Sequence, residues 1–300
     1  MEESFIVTEN ETNQRLDIVL FKMGVAPSRS RVATLFKEGK VKVNGKPVKA
    51  HYILSLAEKV TYQKYTEKPL VLKEEEVPFD IVFESDDYLV INKPQGIVVH
   101  PGHGHTEGTL VNGLLKKLHN FKNDENNLRP GIVHRIDKDT SGLLLVTKNL
   151  ESEQYFQNLI KDHEVKREYL ALVTGVINEN DGEINLPIGR DEKNPIKFKV
   201  REEGKPAVTY FHVEKRFTHY TLVSLRLLTG RTHQIRVHMD YIGHPVVGDP
   251  LYGENNRSLY NNGQLLHAYR LSFVPPHEKE VVSYSAPLPK YFEDILNKLK

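Results

Sequence analysis

Apolar residues recur along this chain in two rhythms. Near the N-terminus, Leu16, Val19, Leu20 and Met23 fall at helical spacing and Gly24 ends the run, which predicts a helix. Ser28 or Ser30 can cap a second helix, with Val32, Leu35 and Phe36 on its inner face and Gly39 just past its end. The stretch VKVNGKPVK then alternates around Asn44-Gly45, a dipeptide that turns a two-residue hairpin. Beyond residue 78 the rhythm changes. FDIVFESDDYLVINKP predicts two strands around a turn at Asp86-Asp87, and REYLALVTGVI, KPAVTYFHVEKRF and HYTLVSLRLL are β-branched or aromatic runs of strand length. Two helices interrupt them. One is capped by Asn149 with Tyr155, Phe156, Leu159 and Ile160 inward; the other lies in RTHQIRVHMDYIG, with Ile235, Met239 and Ile242 on one face and Gly243 ending it. Long strands with few intervening helices predict the α+β class, with a mixed, mostly antiparallel sheet and flanking helices.

Charge divides the chain further. Its 300 residues suffice for two domains. From Lys22 to Lys49 eight basic residues surround one acid, Glu38, whereas KEEEVPFDIVFESDD (Lys73 to Asp87) is acidic. With Pro69 and Pro78 as punctuation, this predicts a small domain over 13–65, a linker over 66–77 and a larger domain over 78–300. In the small domain the second helix shows Arg29, Arg31 and Lys37 outside, and the hairpin adds Lys40, Lys42 and Lys46. Such a face is a phosphate footprint or simply a solvated basic surface, and charge does not decide between them.

Composition removes several classes of chemistry. There are no cysteines, so there is no disulfide framework, thiolate metal site or thiol nucleophile, which suits a cytoplasmic location. The N-terminal MEESFIVTENETNQ is acidic and polar, unlike a signal peptide. No apolar run approaches the roughly 20 residues that span a bilayer. The chain lacks G-x-x-x-x-G-K-[ST] and G-x-S-x-G, and GHGHTEG has its third glycine one place too late for a dinucleotide fingerprint. It is read as a flexible loop. His100, His103 and His105 are close in sequence, but no H-E-x-x-H spacing occurs, and His233 and His238 are five apart, off a common helix face. No metal site or cofactor is expected.

What remains is one crowded gap. In RPGIVHRIDKDTSGLLLVTKN, residues 129–149, a run of charges and hydroxyls sits between the apolar pairs Ile132-Val133 and Leu143-Leu144. Alone it reads as a polar turn, since a lone aspartate is most often exposed or salt-bridged. Two companions change its weight: KREYLALVTG (166–175) and LLTGRTHQIRVHMDYIGHPVVGDPLYG (227–253). In this order, and with LVINKPQGIVVHPG upstream, the segments strongly resemble the pseudouridine synthases of the large-subunit ribosomal RNA (RluA/RluD-like) family, over about residues 78 to 300. RLDIVLFKMGVAPSRSRVATLFKEGKVKVNGKPV resembles the small RNA-binding domain shared by a ribosomal small-subunit protein and tyrosyl-tRNA synthetases.

The resemblance implies isomerisation of uridine in RNA to pseudouridine. The bond from C1′ to N1 breaks and C5 joins C1′, without loss of atoms and without a cofactor. It implies that Asp137 is the catalytic aspartate, that Tyr169 stacks on the target base and helps remove its proton, and that Arg231 is the basic partner of the aspartate. Arg236 is an alternative for that pair and otherwise an RNA contact. Arg135 reaches into the RNA to hold out the displaced base. Arg29, Arg31, Lys37 and Lys40 are the implied RNA contacts of the small domain. The implied partner is RNA, most readily ribosomal, with tRNA as an alternative substrate and a non-catalytic ribosome-assembly factor as an alternative role. The expected state is a monomer that binds no membrane. His134 carries no assigned role.

Overall fold

The structure is a computed structural model that describes residues 2–66, 72–102, 106–118, 129–253 and 259–300. The chain forms two compact units, Met1–Pro69 and Leu70–Lys300.

The first unit contains β1 (Glu2–Ile6), α1 (Leu16–Lys22), α2 (Arg29–Lys37), β2 (Val41–Val43), β3 (Lys46–Pro47) and β4 (Lys59–Gln63), with its sheet in the order β1-β4-β2-β3. Local chemistry sets most of these boundaries. Ser28 caps α2 by accepting from the Arg31 N–H, and the β2–β3 turn puts Asn44 and Gly45 at φ 49° and 79°, the left-handed pair that a tight hairpin turn needs. Leu16, Val19, Leu20, Val32, Leu35, Val41 and Val60 close the core beneath the helices. One boundary differs from expectation. β1 pairs along all of β4, so the unit begins well before residue 13. Glu2 and Glu3 concealed it, because an edge strand can carry charges on its outer face.

The second unit contains β5 (Asp80–Glu84), β6 (Tyr88–Lys93), α3 (Leu110–Lys117), β7 (Ser141–Thr147), α4 (Leu150–Lys161), β8 (Lys166–Thr174), β9 (Asp181–Asn185), β10 (Ile188–Arg190), β11 (Phe198–Val200), β12 (Val208–Arg216), β13 (Tyr220–Leu227), α5 (Gln234–Tyr241), β14 (Leu266–Phe273), β15 (Val282–Ser285) and α6 (Lys290–Leu296). Among the described residues nine strands form one sheet, in the order β5-β6-β7-β14-β8-β13-β12-β9, with β15 also on β14. Every pairing is antiparallel except β7 with β14. The class is α+β, as the strand-rich pattern predicts.

The sheet is covered on both faces. On β7, Leu144 and Val146 join Leu110, Leu114, Ile235 and Met239 on one side, while Leu143 and Leu145 join Phe156, Leu271 and Phe273 on the other. A strand buried on both faces has no polar positions to alternate with. Gly142 makes the parallel crossing possible. It sits at φ 112°, and a Cβ there would lie 2.3 Å from the Ala268 carbonyl oxygen. Part of the expected linker is also not free chain. Leu72 packs with Val111 and Leu115, the Asn112 amide donates to the Lys73 carbonyl, and Gly108 N–H donates to the Glu75 carboxylate. The expected loop over 102–108 lies partly outside the described residues, at 103–105.

Candidate active site

The crowded gap of the sequence is a loop, residues 133–140, that leads into β7 at the mouth of a cleft of about 540 Å³. Its lining includes Asp137, Arg135, His134, Tyr169, Arg167 and Arg231. The loop is fastened from beneath. Lys93 is fully buried and its ammonium donates to the carbonyls of Pro94 (2.9 Å), Ile97 (2.9 Å) and Lys138 (3.0 Å). Burial pushes the Lys93 pKa down to about 7 against the pull of Asp137 and Asp139, and the three carbonyls match the three protons of the ammonium form. The Gln95 amide donates to the Asp139 carbonyl at 2.9 Å, and the Gln264 amide to the Thr140 hydroxyl at 3.0 Å. Such support fixes where the Asp137 carboxylate points.

Arg236 is the partner of that carboxylate. Its Nη1 donates to Asp137 at 2.8 Å, while Nε and Nη2 grip Asp249 at 2.6 and 2.8 Å. Asp249 also accepts the backbone N–H of Leu251 and Tyr252, and the guanidinium lies 5.1 Å from the centre of the Tyr252 ring. The expectation for Arg231 is therefore corrected. Its Nε donates to the Pro206 carbonyl at 2.9 Å, and it stands on the cleft wall rather than on the aspartate. The divergence begins at His233, which adopts φ 57° and starts α5. Arg231 precedes that turn, whereas Arg236 follows Ile235 into the buried face of the helix. A planar fork with donors on two edges suits this position, and a lysine could not bridge both carboxylates in the same way.

Electrostatics favour an ionised Asp137. Burial alone would raise its pKa, but Arg236 first, then His233 and Arg135, outweigh that and hold the carboxyl below its usual range. His233 stands with Nε2 4.0 Å from Asp137 and Nδ1 3.0 Å from the Tyr252 hydroxyl. Burial keeps its pKa below the usual value despite the pull of Asp137. Tyr169 is 5% exposed on β8, and burial raises the pKa of its hydroxyl. Arg135 is exposed at the cleft and approaches His100 Nε2 at 3.4 Å. A buried acid fixed by an arginine, an aromatic wall and a positive rim can bind a base and act on the sugar attached to it.

Residues 87–241 match the RNA pseudouridylate synthase family, and residues 14–60 match the S4 domain. An uncharacterized RNA pseudouridine synthase of Bacillus subtilis is 45% identical, with 98% of this chain and 96% of that protein covered. The ribosomal large subunit pseudouridine synthase D of Neisseria meningitidis serogroup B is 41% identical, with 95% and 79% covered. The chain belongs to the RNA pseudouridylate synthase family. Solved members resemble it in fold: human RNA pseudouridylate synthase domain containing 1 has a TM-score of 0.59 and 31% identity, covering 70% of this chain and 83% of that one. Human RNA pseudouridylate synthase domain containing 4 gives 0.58 and 25%, covering 74% and 94%.

Two residues that shape this cleft carry no flag in the sequence. Asp249 lies in GHPVVGDPLYG and Lys93 in LVINKPQG, but only the fold shows that one clamps Arg236 and the other the loop. His238 is a satisfied core histidine, bonded to the Thr209 hydroxyl and the Leu186 carbonyl at 2.9 Å each. Among the described residues no group of three or more metal-ligating side chains gathers, and no helix is long and apolar enough to cross a membrane.

The S4 unit holds its basic residues loosely. Arg29 pairs with Asp17 at 2.9 Å, Lys40 pairs with Glu38 at 2.6 Å, and Arg31 lies 5.3 Å from the centre of the Tyr65 ring. Lys37 is exposed on α2. Asp17 is 6% exposed and sits before the basic run, so the face carries less free charge than the run itself suggests.

Proposed function

We propose that this protein converts specific uridines of large-subunit ribosomal RNA to pseudouridine, with Asp137 as its essential carboxylate. One observation carries the reading: Asp137 is held ionised by Arg236 in a basic cleft that also contains Tyr169. Cleavage of the C1′–N1 bond builds positive charge on the ribose, which a carboxylate stabilises or attacks. Asp137 either adds to C1′ or removes the C2′ proton to give a glycal, and both routes require its ionised form. After the uracil turns, C5 bonds to C1′ and the C5 proton leaves. The uridine must first leave its stack, at a cost of a few kcal/mol. Stacking on Tyr169 offsets about 1–3 kcal/mol of that, and Arg135 occupies the vacated place. Arg231, on the cleft wall, binds RNA rather than orienting the acid.

The ribosomal substrate rests on relatives named ribosomal large subunit pseudouridine synthase D and on the S4 unit. Residues 78–300 perform the chemistry, and the N-terminal unit docks structured RNA through Arg29, Arg31, Lys37 and Lys40. A monomer working in the cytoplasm completes the reading, in line with that substrate and a cysteine-free chain. The test is tritium release from RNA containing 5-tritiated uridine. Asp137→Asn should lower the rate at least about 10³-fold while RNA binding persists; activity within tenfold of wild type sinks the assignment. Pseudouridine maps of ribosomal RNA and tRNA from a deletion strain then name the substrate.

A further inference from the structure

Two groups in the cleft are left over by the chemistry above. The first is Arg167, two residues before Tyr169 on β8 and hence on the same face of the strand. It is 6% exposed. Among the described residues its buried Nε has no acceptor and its guanidinium forms no hydrogen bond or ion pair. Buried arginines are ordinarily paired, because an uncompensated charge is costly to bury. The second is His134. The Leu145 N–H, which can only donate, is bonded to His134 Nε2 at 3.0 Å. The ring proton of the neutral imidazole therefore sits on Nδ1, and Nδ1 is buried with no acceptor among the described residues. Burial first, and Arg167 second, push the His134 pKa down to about 3, so the neutral ring is the form present.

Two donors without acceptors thus line one cleft, from the 133–140 loop and from β8. Arg129, Arg135, Lys161 and Arg231 also line it, and the acid in it, Asp137, is already committed to Arg236. Gly230 is part of the seat. A Cβ there would come within 2.7 Å of Arg167 Nη1, so the missing side chain leaves room for the guanidinium. The missing acceptor has to be negative, since a neutral carbonyl would leave the arginine charge buried and uncompensated. A nucleotide whose C1′ reaches Asp137 brings a phosphodiester on each side of its ribose. The arginine fork matches phosphate oxygens.

We propose that Arg167, with His134, forms a binding site for a backbone phosphate of the substrate RNA, beside the reacting nucleotide and distinct from the Asp137–Arg236 pair. The proposal rests on the reading of the chain as an RNA pseudouridine synthase. The site anchors the strand on the base-stacking side of the cleft, so that Tyr169 meets a nucleotide already fixed by its phosphate.

The experiment uses the full-length protein, a transcript of large-subunit ribosomal RNA containing 5-tritiated uridine, and binding measured over a range of KCl concentrations. Arg167→Gln should weaken binding about tenfold at low salt and reduce the slope of log K against log salt by about 0.7–0.9, the share of one phosphate. Arg167→Lys should keep the slope. Gly230→Ala, which crowds the guanidinium, should weaken binding by a smaller factor. The unfolding midpoint of Arg167→Gln should equal or exceed that of wild type, because the variant removes a buried unpaired charge. Wild-type affinity and slope in Arg167→Gln overturn the site. Should Arg167→Gln fail to fold, wild-type affinity in a folded Gly230→Ala overturns it instead. Absence of tritium release from wild type, with the slope still lowered in Arg167→Gln, would refute the enzymatic reading and leave the phosphate site standing.

Discussion

The cleft and the S4 face are both dense in charge, but they use it in opposite ways. In the cleft, Arg236 and Asp249 are buried and Asp137 nearly so, joined at 2.6–2.8 Å. On the S4 face, the Arg29 side chain is 52% exposed against Asp17, and Lys40 and Glu38 are 36% and 43% exposed. Burial turns charge into geometry, because a desolvated pair holds one arrangement and resists a salt-filled solvent. Exposure leaves charge as a field, which attracts any phosphate and which salt screens. One molecule can therefore separate finding its RNA from acting on one nucleotide of it.

The sharpest way to break that contrast is to remove the hub of the buried network. Arg236→Met leaves the Asp137 and Asp249 carboxylates together without their cation. Removing one partner of a buried pair costs about 3–5 kcal/mol, so the urea midpoint should fall far more than for any change on the S4 face. Tritium release should fall with it at temperatures where the variant is still folded. A variant with wild-type stability would show that the network is solvated rather than buried.

A second test sharpens the comparison through pH. Asp137 has a folded pKa below its unfolded value of about 3.9. Its contribution to stability is therefore present above that value and is lost as pH falls through the folded pKa. Activity should follow the same direction. In short assays the wild-type rate should hold down to about pH 4, since the carboxylate stays ionised. In Arg236→Gln the acid limb should move to higher pH, because burial then raises the Asp137 pKa without the opposing guanidinium. An acid limb at the same pH in both proteins would mean that Arg236 does not set the ionisation of Asp137.

The contrast also separates what the sequence reveals from what it hides. Features set by local chemistry were legible: the Ser28 and Asn149 caps, the Asn44-Gly45 turn, and the uninterrupted apolar run of β7. The shared cleft of Asp137, Tyr169 and Arg231 was legible as well, because their three segments form a recognisable set. The partner of Asp137 was not. Arg231 and Arg236 stand five residues apart in one segment, and the left-handed turn at His233 decides which of them enters the core. That turn is held by contacts with Phe198 and Tyr252 from distant strands and loops, which no local pattern encodes. β14 was hidden for a similar reason. LHAYRLSF mixes His267 and Arg270 into a central strand, and His267 is tolerated because the Ser141 hydroxyl meets it at 2.9 Å across the sheet. Arg167 lies within KREYLALVTG, and only the fold shows that among the described residues nothing pairs with it.

The smallest expected effect tests the other half of the comparison. Lys37 is exposed near the end of α2, in its last turn. If the S4 face works as a field, Lys37→Gln should weaken binding of a ribosomal RNA transcript less than tenfold, with a salt slope lower by about one phosphate at most. The unfolding midpoint should not move, since a solvated surface side chain contributes little to stability. On a short RNA at saturating concentration, turnover should match wild type, because the field acts before the nucleotide reaches Asp137. Turnover that falls in step with affinity would place Lys37 in the catalytic complex, and the division of labour between a field that finds RNA and a geometry that changes it would not hold.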